Sequence, residues 1–232
     1  KNNYLNKINK SNIRGVYLPK YPNLKLLRVL NNSLVNYCKK NLKASILHDL
    51  YYPEKLNICD KKKILTIHDT IHEKYKNLYK TDYFNFRKKI IDTIDIFICV
   101  SQNTMEDLIS FYNVNENKIH VISHGYEHLK NIQAQNLTKS KIFEKPFILY
   151  VGGRYKYKNF KLLAQAYSKD NHINDNFNII CYGGENISNK ELNFFRKLGI
   201  DKKIFKLKGN DNFLKTLYTK CSLFVSTSEY EG

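Results

Sequence analysis

The sequence predicts an α/β protein built from two doubly wound parallel-sheet domains. Three observations carry this. Short apolar runs alternate with helix-period segments along most of the 232 residues, the pattern of βαβ units and parallel sheets. That pattern pauses over a polar stretch from Glu127 to Lys145, rich in Asn, Gln, Lys and Ser, and then restarts. Hydrophobic residues make up 42% of the chain, which is too apolar for intrinsic disorder and enough for a sizeable core.

Taken in order, Leu26, Leu27, Leu30, Leu34, Tyr37, Cys38 and Leu42 recur at helical spacing and predict a helix from about Leu24 to Leu42. SILH (Ser45 to His48) and KILTIH (Lys63 to His68) read as strands. Phe84 to Ile94 reads as a helix and IFICV (Ile96 to Val100) as a buried strand. Asn103 and Glu106 have capping-box spacing and open a helix with Met105, Leu108, Ile109 and Tyr112 on one face. KIHVI (Lys118 to Ile122) closes the first half. After the polar stretch come strand Phe147 to Val151, helix Asn159 to Tyr167, strand Phe177 to Tyr182 and helix Asn189 to Leu198. Strand Lys203 to Lys208, helix Asn212 to Lys220 and strand Ser222 to Ser226 complete the series. The expected organisation is residues 1–126 as an N-terminal domain, 127–145 as a linker and 146–232 as a C-terminal domain.

Composition narrows the function classes. Lys and Arg number 39 against 21 acids, a formal net charge of +18. Lys is abundant together with Asn, Ile and Tyr, a general bias that raises Lys everywhere, so its distribution says more than its total. No acidic residue precedes Asp49, while Lys1, Lys7, Lys10, Arg14, Lys20, Lys25, Arg28, Lys39, Lys40 and Lys43 do. The first helix is therefore basic and amphipathic. It can dock on anionic lipid headgroups, at about 1 kcal/mol per basic residue, or cover a sheet as a solvated helix. No RRM signature, zinc-finger ligand set or basic zipper accompanies the charge, so nucleic acid is not the expected partner. Runs such as Ile96 to Val100 and Phe147 to Val151 are far shorter than the roughly 20 residues that span a bilayer. The five cysteines (Cys38, Cys59, Cys99, Cys181, Cys221) form no C-x-x-C pair and suggest a reducing, cytoplasmic setting. The chain opens on Lys1 instead of Met and ends at Gly232 in a loop-like segment, which reads as a fragment.

Three constellations carry chemistry. In FILYVGGRYKYKNF a buried strand ends in two glycines, and Arg154 and Lys158 flank a short loop before a helix. Glycine lets backbone amides approach a ligand, a helix N-terminus favours anions, and Arg and Lys grip phosphate. A merely basic βα loop is the plainer alternative. STSEYEG places Glu231 at another strand's carboxyl end, where a carboxylate can accept hydrogen bonds from sugar or ribose hydroxyls. HDTIHE holds His68, Asp69, His72 and Glu73 and nearly matches the H-E-x-x-H zinc motif. Asp69 replaces that motif's Glu, and a strand precedes it instead of a helix. His68 facing a cleft and a structural His68 are the competing readings, and no metal is expected.

Taken in series, ILHDLYYP, ILTIHDTIHEKY, FICVSQNTMEDL, KIHVISHG, PFILYVGGRYKYKNF, NIICYGG, LKGNDNFLKTLY and SLFVSTSEYEG resemble glycosyltransferase family 4. These are retaining enzymes of the GT-B fold, and the similarity is greatest to the mannosyltransferase B-like branch. The resemblance implies two Rossmann-like domains, the first binding a glycan or lipid-linked acceptor and the second a nucleotide-sugar, GDP- or UDP-linked. It implies hexosyl transfer with retained configuration in surface polysaccharide synthesis, without cofactor or obligatory metal; to the cytoplasmic setting the basic first segment adds an expected peripheral place at the inner face of the membrane. Carried over by motif, Arg154 and Lys158 match the basic pair on the donor diphosphate, and His68 the histidine near the transferred sugar. Gly153 matches the glycine admitting the donor, Glu231 the first carboxylate of the E-x7-E motif, and Gly183 and Gly209 positions lining the nucleotide pocket. His124, where many relatives have Asn, reads as interdomain structure. The motif's second Glu and the family's opening strand with its Gly-rich loop are not in the sequence, so the C-terminal domain reads as incomplete. A catalytically inactive nucleotide-sugar-binding remnant is the alternative, and a basic nucleic-acid-binding protein a further one.

Overall fold

The computed structural model describes residues 45–53, 60–78, 83–130, 133–134 and 141–232, together with Leu30, Ser33, Leu34 and Tyr37. The chain divides into two compact units, residues 1–47 with 58–61 and residues 48–57 with 62–232. In the first, Leu30, Ser33, Leu34 and Tyr37 are helical, and the remainder of the helix expected over Leu24 to Leu42 lies outside the described residues.

The larger unit carries the alternating pattern. Its first half runs β1 (Ile46–Asp49, entered from the smaller unit), β2 (Lys62–Ile67), α1 (Ile71–Lys74), α2 (Tyr83–Ile91), β3 (Ile96–Cys99), α3 (Gln102–Tyr112) and β4 (Ile119–Val121). The sheet order is β1-β2-β3-β4. β2 and β3 pair in parallel with Ile64 opposite Ile96, and β3 and β4 with Phe97 opposite Ile119. Leu65, Ile67, Phe97, Cys99 and Ile119 point into one cluster with Ile90, Ile91 and Ile94 and with Leu108 and Tyr112 of α3. Strand residues two apart share a face and helix residues four apart share a stripe, which is why these positions meet. The Cys99 thiol is pushed up to about 12 by burial, as a core residue should be.

The second half follows α4 (Glu127–Lys130) and runs β5 (Phe147–Val151), α5 (Phe160–Lys169), α6 (Asn171–Asn176), β6 (Asn178–Tyr182), α7 (Asn189–Lys197), β7 (Ile204–Leu207), α8 (Asp211–Lys220) and β8 (Leu223–Phe224). The sheet order is β7-β6-β5-β8, all parallel. Ile148 and Tyr150 pack with Phe160, Leu163, Ala164 and Tyr167 of α5 and Phe195 of α7. Their neighbours Phe147 and Leu149 pack on the opposite side with Leu217, Phe213 and Leu214 of α8. Helices thus cover both faces, and the doubly wound expectation holds. The chain adds β6 and β7 on one side of β5 and then returns to lay β8 on the other. The order reverses between β5 and β8, and ligands of open α/β sheets settle outside the strand ends at such a reversal.

Some expected details differ. α3 is capped by Ser101, whose side chain accepts from the Thr104 N–H, and not by Asn103. Asn103 is the second residue of the helix, and its side chain reaches elsewhere. α6 breaks no apolar period and was not expected; Asp170 starts it by accepting from the Ile173 N–H. β8 is shorter than Ser222 to Ser226, and Leu223 and Phe224 are exposed at the sheet edge.

Candidate functional site

At the reversal point, the loops after β5 and β8 are stitched together. Thr227 Oγ1 donates to the Lys158 carbonyl at 2.9 Å and the Glu229 N–H to the Tyr157 carbonyl at 2.8 Å. From beneath, the Tyr150 hydroxyl reaches the carbonyls of Gly153 (2.8 Å) and Lys158 (3.1 Å). With both backbones held, Lys158 Nζ meets Glu231 Oε1 at 2.6 Å. The ammonium is about four-fifths buried and the carboxylate half exposed, so this charged pair opens to solvent on the Glu231 side.

The loop after β2 meets the same segment. Tyr230 lies buried, its hydroxyl 3.0 Å from Thr70 Oγ1, which donates to Asp107 of α3 at 2.9 Å. Burial, more than these contacts, raises the Tyr230 phenol to about 12. Asn103 Nδ2 donates to the Glu231 carbonyl at 2.9 Å. A Cβ on Gly232 would strike the His68 carbonyl, so only glycine lets the chain pass so close to the β2 loop.

His68 is therefore near Glu231, but both its ring nitrogens are engaged. Nε2 lies 2.9 Å from the Leu50 carbonyl, an acceptor, so Nε2 carries the hydrogen. Nδ1 then accepts from His124 Nε2 at 3.3 Å, and the two rings stack with centroids 5.3 Å apart. His124 thus orients His68. In HDTIHE only His72 and Glu73 lie on α1, with His68 ahead of it, and Glu73 is buried with both carboxylate oxygens on Arg87 Nη1 (2.8 and 3.0 Å) and Oε1 on the Tyr112 hydroxyl (2.6 Å). Among the described residues no three His, Cys, Asp or Glu side chains gather to hold a metal.

Arg154 has different partners from Lys158, and its Nη1 is buried without a hydrogen-bond partner. Its side chain is buried and donates through Nε to Glu191 Oε1 (2.9 Å) and through Nη2 to Glu191 Oε2 (3.4 Å) and the Glu185 carbonyl (3.0 Å). It lines a cavity of about 970 Å³ between the starts of α5 and α7. Gly153 is not open either: a Cβ there would sit 2.8 Å from the Tyr155 ring, which covers it. Gly209 makes room for the Phe213 ring of α8, 2.6 Å from where a Cβ would stand. Gly183 has φ +76°, and with Gly184 it lets the loop after β6 lie against Gly152. So Lys158, Glu231 and His68 share one neighbourhood, while Arg154, Gly153, Gly183 and Gly209 shape the loops around it. Sequence reasoning missed Glu191, although Ser188-x-x-Glu191 is a legible capping box that the structure forms.

Two parallel sheets in series, each with helices packed on it, are the architecture of glycosyltransferases with the GT-B fold. The chain belongs to this class by sequence: residues 4–128 match the Glycosyltransferase Family 4 model and residues 132–232 that of Glycosyl transferases group 1. No curated protein matches it in sequence. Solved structures share its fold. A glycosyltransferase from Rickettsia africae ESF-5 aligns at TM-score 0.55 and 20% identity over 93% of this chain and 59% of its own. WaaG, described as a glycosyltransferase involved in lipopolysaccharide biosynthesis, aligns at TM-score 0.63 and 13% identity over 93% of this chain and 62% of its own. An S. aureus TarM variant, in complex with fondaparinux, α-GlcNAc-glycerol and UDP, aligns at TM-score 0.53 and 19% identity over 75% of this chain and 34% of its own. The chain thus spans less than two thirds of the length of these structures. No helix among the described residues is long and apolar enough to cross a membrane.

Proposed function

We propose that this chain serves a retaining glycosyltransferase, which moves a hexosyl group from a nucleoside-diphosphate sugar to a glycan or lipid-linked acceptor during surface polysaccharide assembly. The observation that carries the reading is the Lys158–Glu231 pair, 2.6 Å apart at the reversal of the second sheet. There the ammonium meets the donor's β-phosphate as the sugar–phosphate bond breaks, and a charge-stabilising donor of this kind is worth about 3 to 4 kcal/mol. The Glu231 carboxylate accepts from a ribose or sugar hydroxyl. On the front face, the acceptor oxygen bonds to the anomeric carbon, and its proton passes to the departing phosphate oxygen. His68, fixed by His124 and Leu50, walls the sugar side. No metal enters this scheme.

UDP-sugars are the first donors to test, because the TarM structure contains UDP; GDP-mannose is the second. The test is release of UDP or GDP from each sugar nucleotide by wild type and by Lys158→Ala. Turnover lost in the variant supports the site, and equal turnover removes it. Nucleotide binding without turnover in the complete gene product favours the non-catalytic remnant. The acid-free segment before Asp49 supports docking on anionic lipid. Vesicle flotation tests this, since equal binding to neutral vesicles would remove the electrostatic basis.

A further inference from the structure

β8 ends at Phe224, so Glu231 stands on a loop that the sheet itself does not fix. The anchors of this loop come from both halves of the larger unit. Thr227 and Glu229 bond to the carbonyls of Lys158 and Tyr157 in the second half. Tyr230 and Glu231 turn to the first. The buried Tyr230 ring lies against Lys74, whose Nζ is 4.4 Å from the ring centre and 3.8 Å from Asp107 Oδ1. The Tyr230 hydroxyl accepts from the Thr70 N–H at 3.4 Å. Thr70 Oγ1 gives its hydrogen to Asp107, so Tyr230 donates to Thr70 Oγ1 at 3.0 Å, and the phenol both accepts and donates in this socket.

Asn103 supplies the last hold. It sits in the first turn of α3, where Ser101 already provides the cap. Asn is a poorer helix former than Ala, and here its amide does nothing for the helix. Instead Nδ2 donates to the Glu231 carbonyl at 2.9 Å. That carbonyl belongs to the residue whose carboxylate meets Lys158. Fixing the Glu231 backbone on the α3 side therefore limits where its side chain can point.

We infer that Asn103 and Tyr230 are positioning residues, which hold the loop after β8 against α3 and the β2 loop and so aim the Glu231 carboxylate at a donor hydroxyl. The first half of the unit thereby completes a donor site built on the second. This rests on the reading of the cleft as a sugar-nucleotide site.

The test uses the 232-residue chain with Asn103→Ala, Asn103→Asp, Tyr230→Phe, Glu231→Ala and the double variant of Asn103→Ala with Glu231→Ala. Affinities for UDP-glucose and GDP-mannose are measured by calorimetry, thermal melts are recorded, and amide hydrogen exchange is followed in residues 227–232. Losing one hydrogen bond that aims the carboxylate should weaken binding roughly three- to tenfold in each of the first three variants. Asn103→Asp separates aim from stability. A carboxylate in the first turn of α3 favours the helix but cannot donate to the Glu231 carbonyl, so binding should fall while the melt holds. The neutral Asn103→Ala should lose as much, because the missing donor and not charge repulsion is the cause. On top of Glu231→Ala, Asn103→Ala should cost less than about a further twofold, since no carboxylate remains to be aimed. Exchange in residues 227–232 should quicken in Asn103→Ala and Tyr230→Phe. Unchanged affinity in Asn103→Ala, or a full second loss on top of Glu231→Ala, would overturn the inference. Unchanged exchange in Asn103→Ala would overturn it as well, whether or not a sugar nucleotide binds. A wild type that binds neither sugar nucleotide, with exchange quickened in the variants, would sink the proposed function and leave the hold on Glu231 standing.

Discussion

Lys158 Nζ and Glu231 Oε1 stand 2.6 Å apart across the point where the second sheet reverses its strand order. Lys158 follows β5, Glu231 follows β8, and the two strands are parallel neighbours. The carboxylate is half exposed, so the pair contributes little to folding. We expect Glu231→Gln to shift the melting temperature by less than about 3 °C. Lys158→Ala, in contrast, should weaken UDP or GDP binding by roughly 10- to 150-fold, the worth of a charge-assisted hydrogen bond. Calorimetric titration and a thermal melt on the two variants check both halves. A melt lowered by 10 °C in Glu231→Gln would instead assign the pair to the scaffold.

The Glu73 cluster should behave in the opposite way. Glu73 and Arg87 are buried, Tyr112 adds a hydroxyl at 2.6 Å, and the Arg87 guanidinium lies 4.1 Å from the Tyr52 ring centre. Burial by itself would lower the Arg87 pKa, yet Glu73 raises it. Removing one partner strands a buried charge, so Arg87→Met should cost about 3 to 5 kcal/mol in urea unfolding. Tyr112→Phe leaves a carboxylate oxygen one donor short and should cost about 1 to 3 kcal/mol. Replacing both ions, Arg87→Met with Glu73→Leu, should recover most of the first loss. If the double variant is less stable than Arg87→Met alone, the cost lies in packing and not in the unpaired charge.

The alternation of strands and helices was legible because it follows from periods of two and 3.6 residues. β5, for example, spans Phe147–Val151 as its apolar run says. What the periods do not encode is which polar side chain wins a local competition. Ser101 and Asn103 both suit a helix start, and Ser101 caps while Asn103 turns to a carbonyl 128 residues away. Arg154 was legible as a basic residue at a strand end. Its direction depends on Glu191, 37 residues later, and no spacing near Arg154 reports that. Thr70 and Tyr230 are 160 residues apart, so their pairing belongs to tertiary packing alone. Lys158 and Glu231 were each legible as residues at carboxyl ends of strands, but their pairing was not, because it depends on β8 returning to lie beside β5.

Acid should act through Glu191. Its carboxyl is held below the usual range by Arg154 and Ser188 against the pull of burial. A depressed folded-state pKa means the unfolded chain takes up protons first as pH falls. The stabilisation is thus complete above the ordinary glutamate value of 4.5 and drains away as pH drops through the lower folded value. Glu191→Gln has no proton to take up at this site. Its stability should therefore fall less steeply than that of wild type below about pH 4.5, measured as urea midpoints from pH 6 to pH 3. Parallel curves for the two proteins would show that the carboxyl is not coupled to folding.

The glycine contact between the β5 and β6 loops gives the sharpest steric prediction. Gly184 has φ +64°, and a Cβ there would stand 2.6 Å from the Gly152 carbonyl oxygen and 3.1 Å from the Gly153 Cα. The atoms in the way are backbone, so no rotamer relieves the clash. Gly184→Ala pays the left-handed strain and must also part the two loops, so it should lose at least about 2 kcal/mol of stability. Gly153→Ala is the contrasting case. Its obstacle is the outer edge of the Tyr155 ring at 2.8 Å, on an exposed side chain that can swing aside. That variant should unfold within about 1 kcal/mol of wild type. Paired urea titrations decide the matter, and a Gly184→Ala protein as stable as wild type would show that the loops separate without cost.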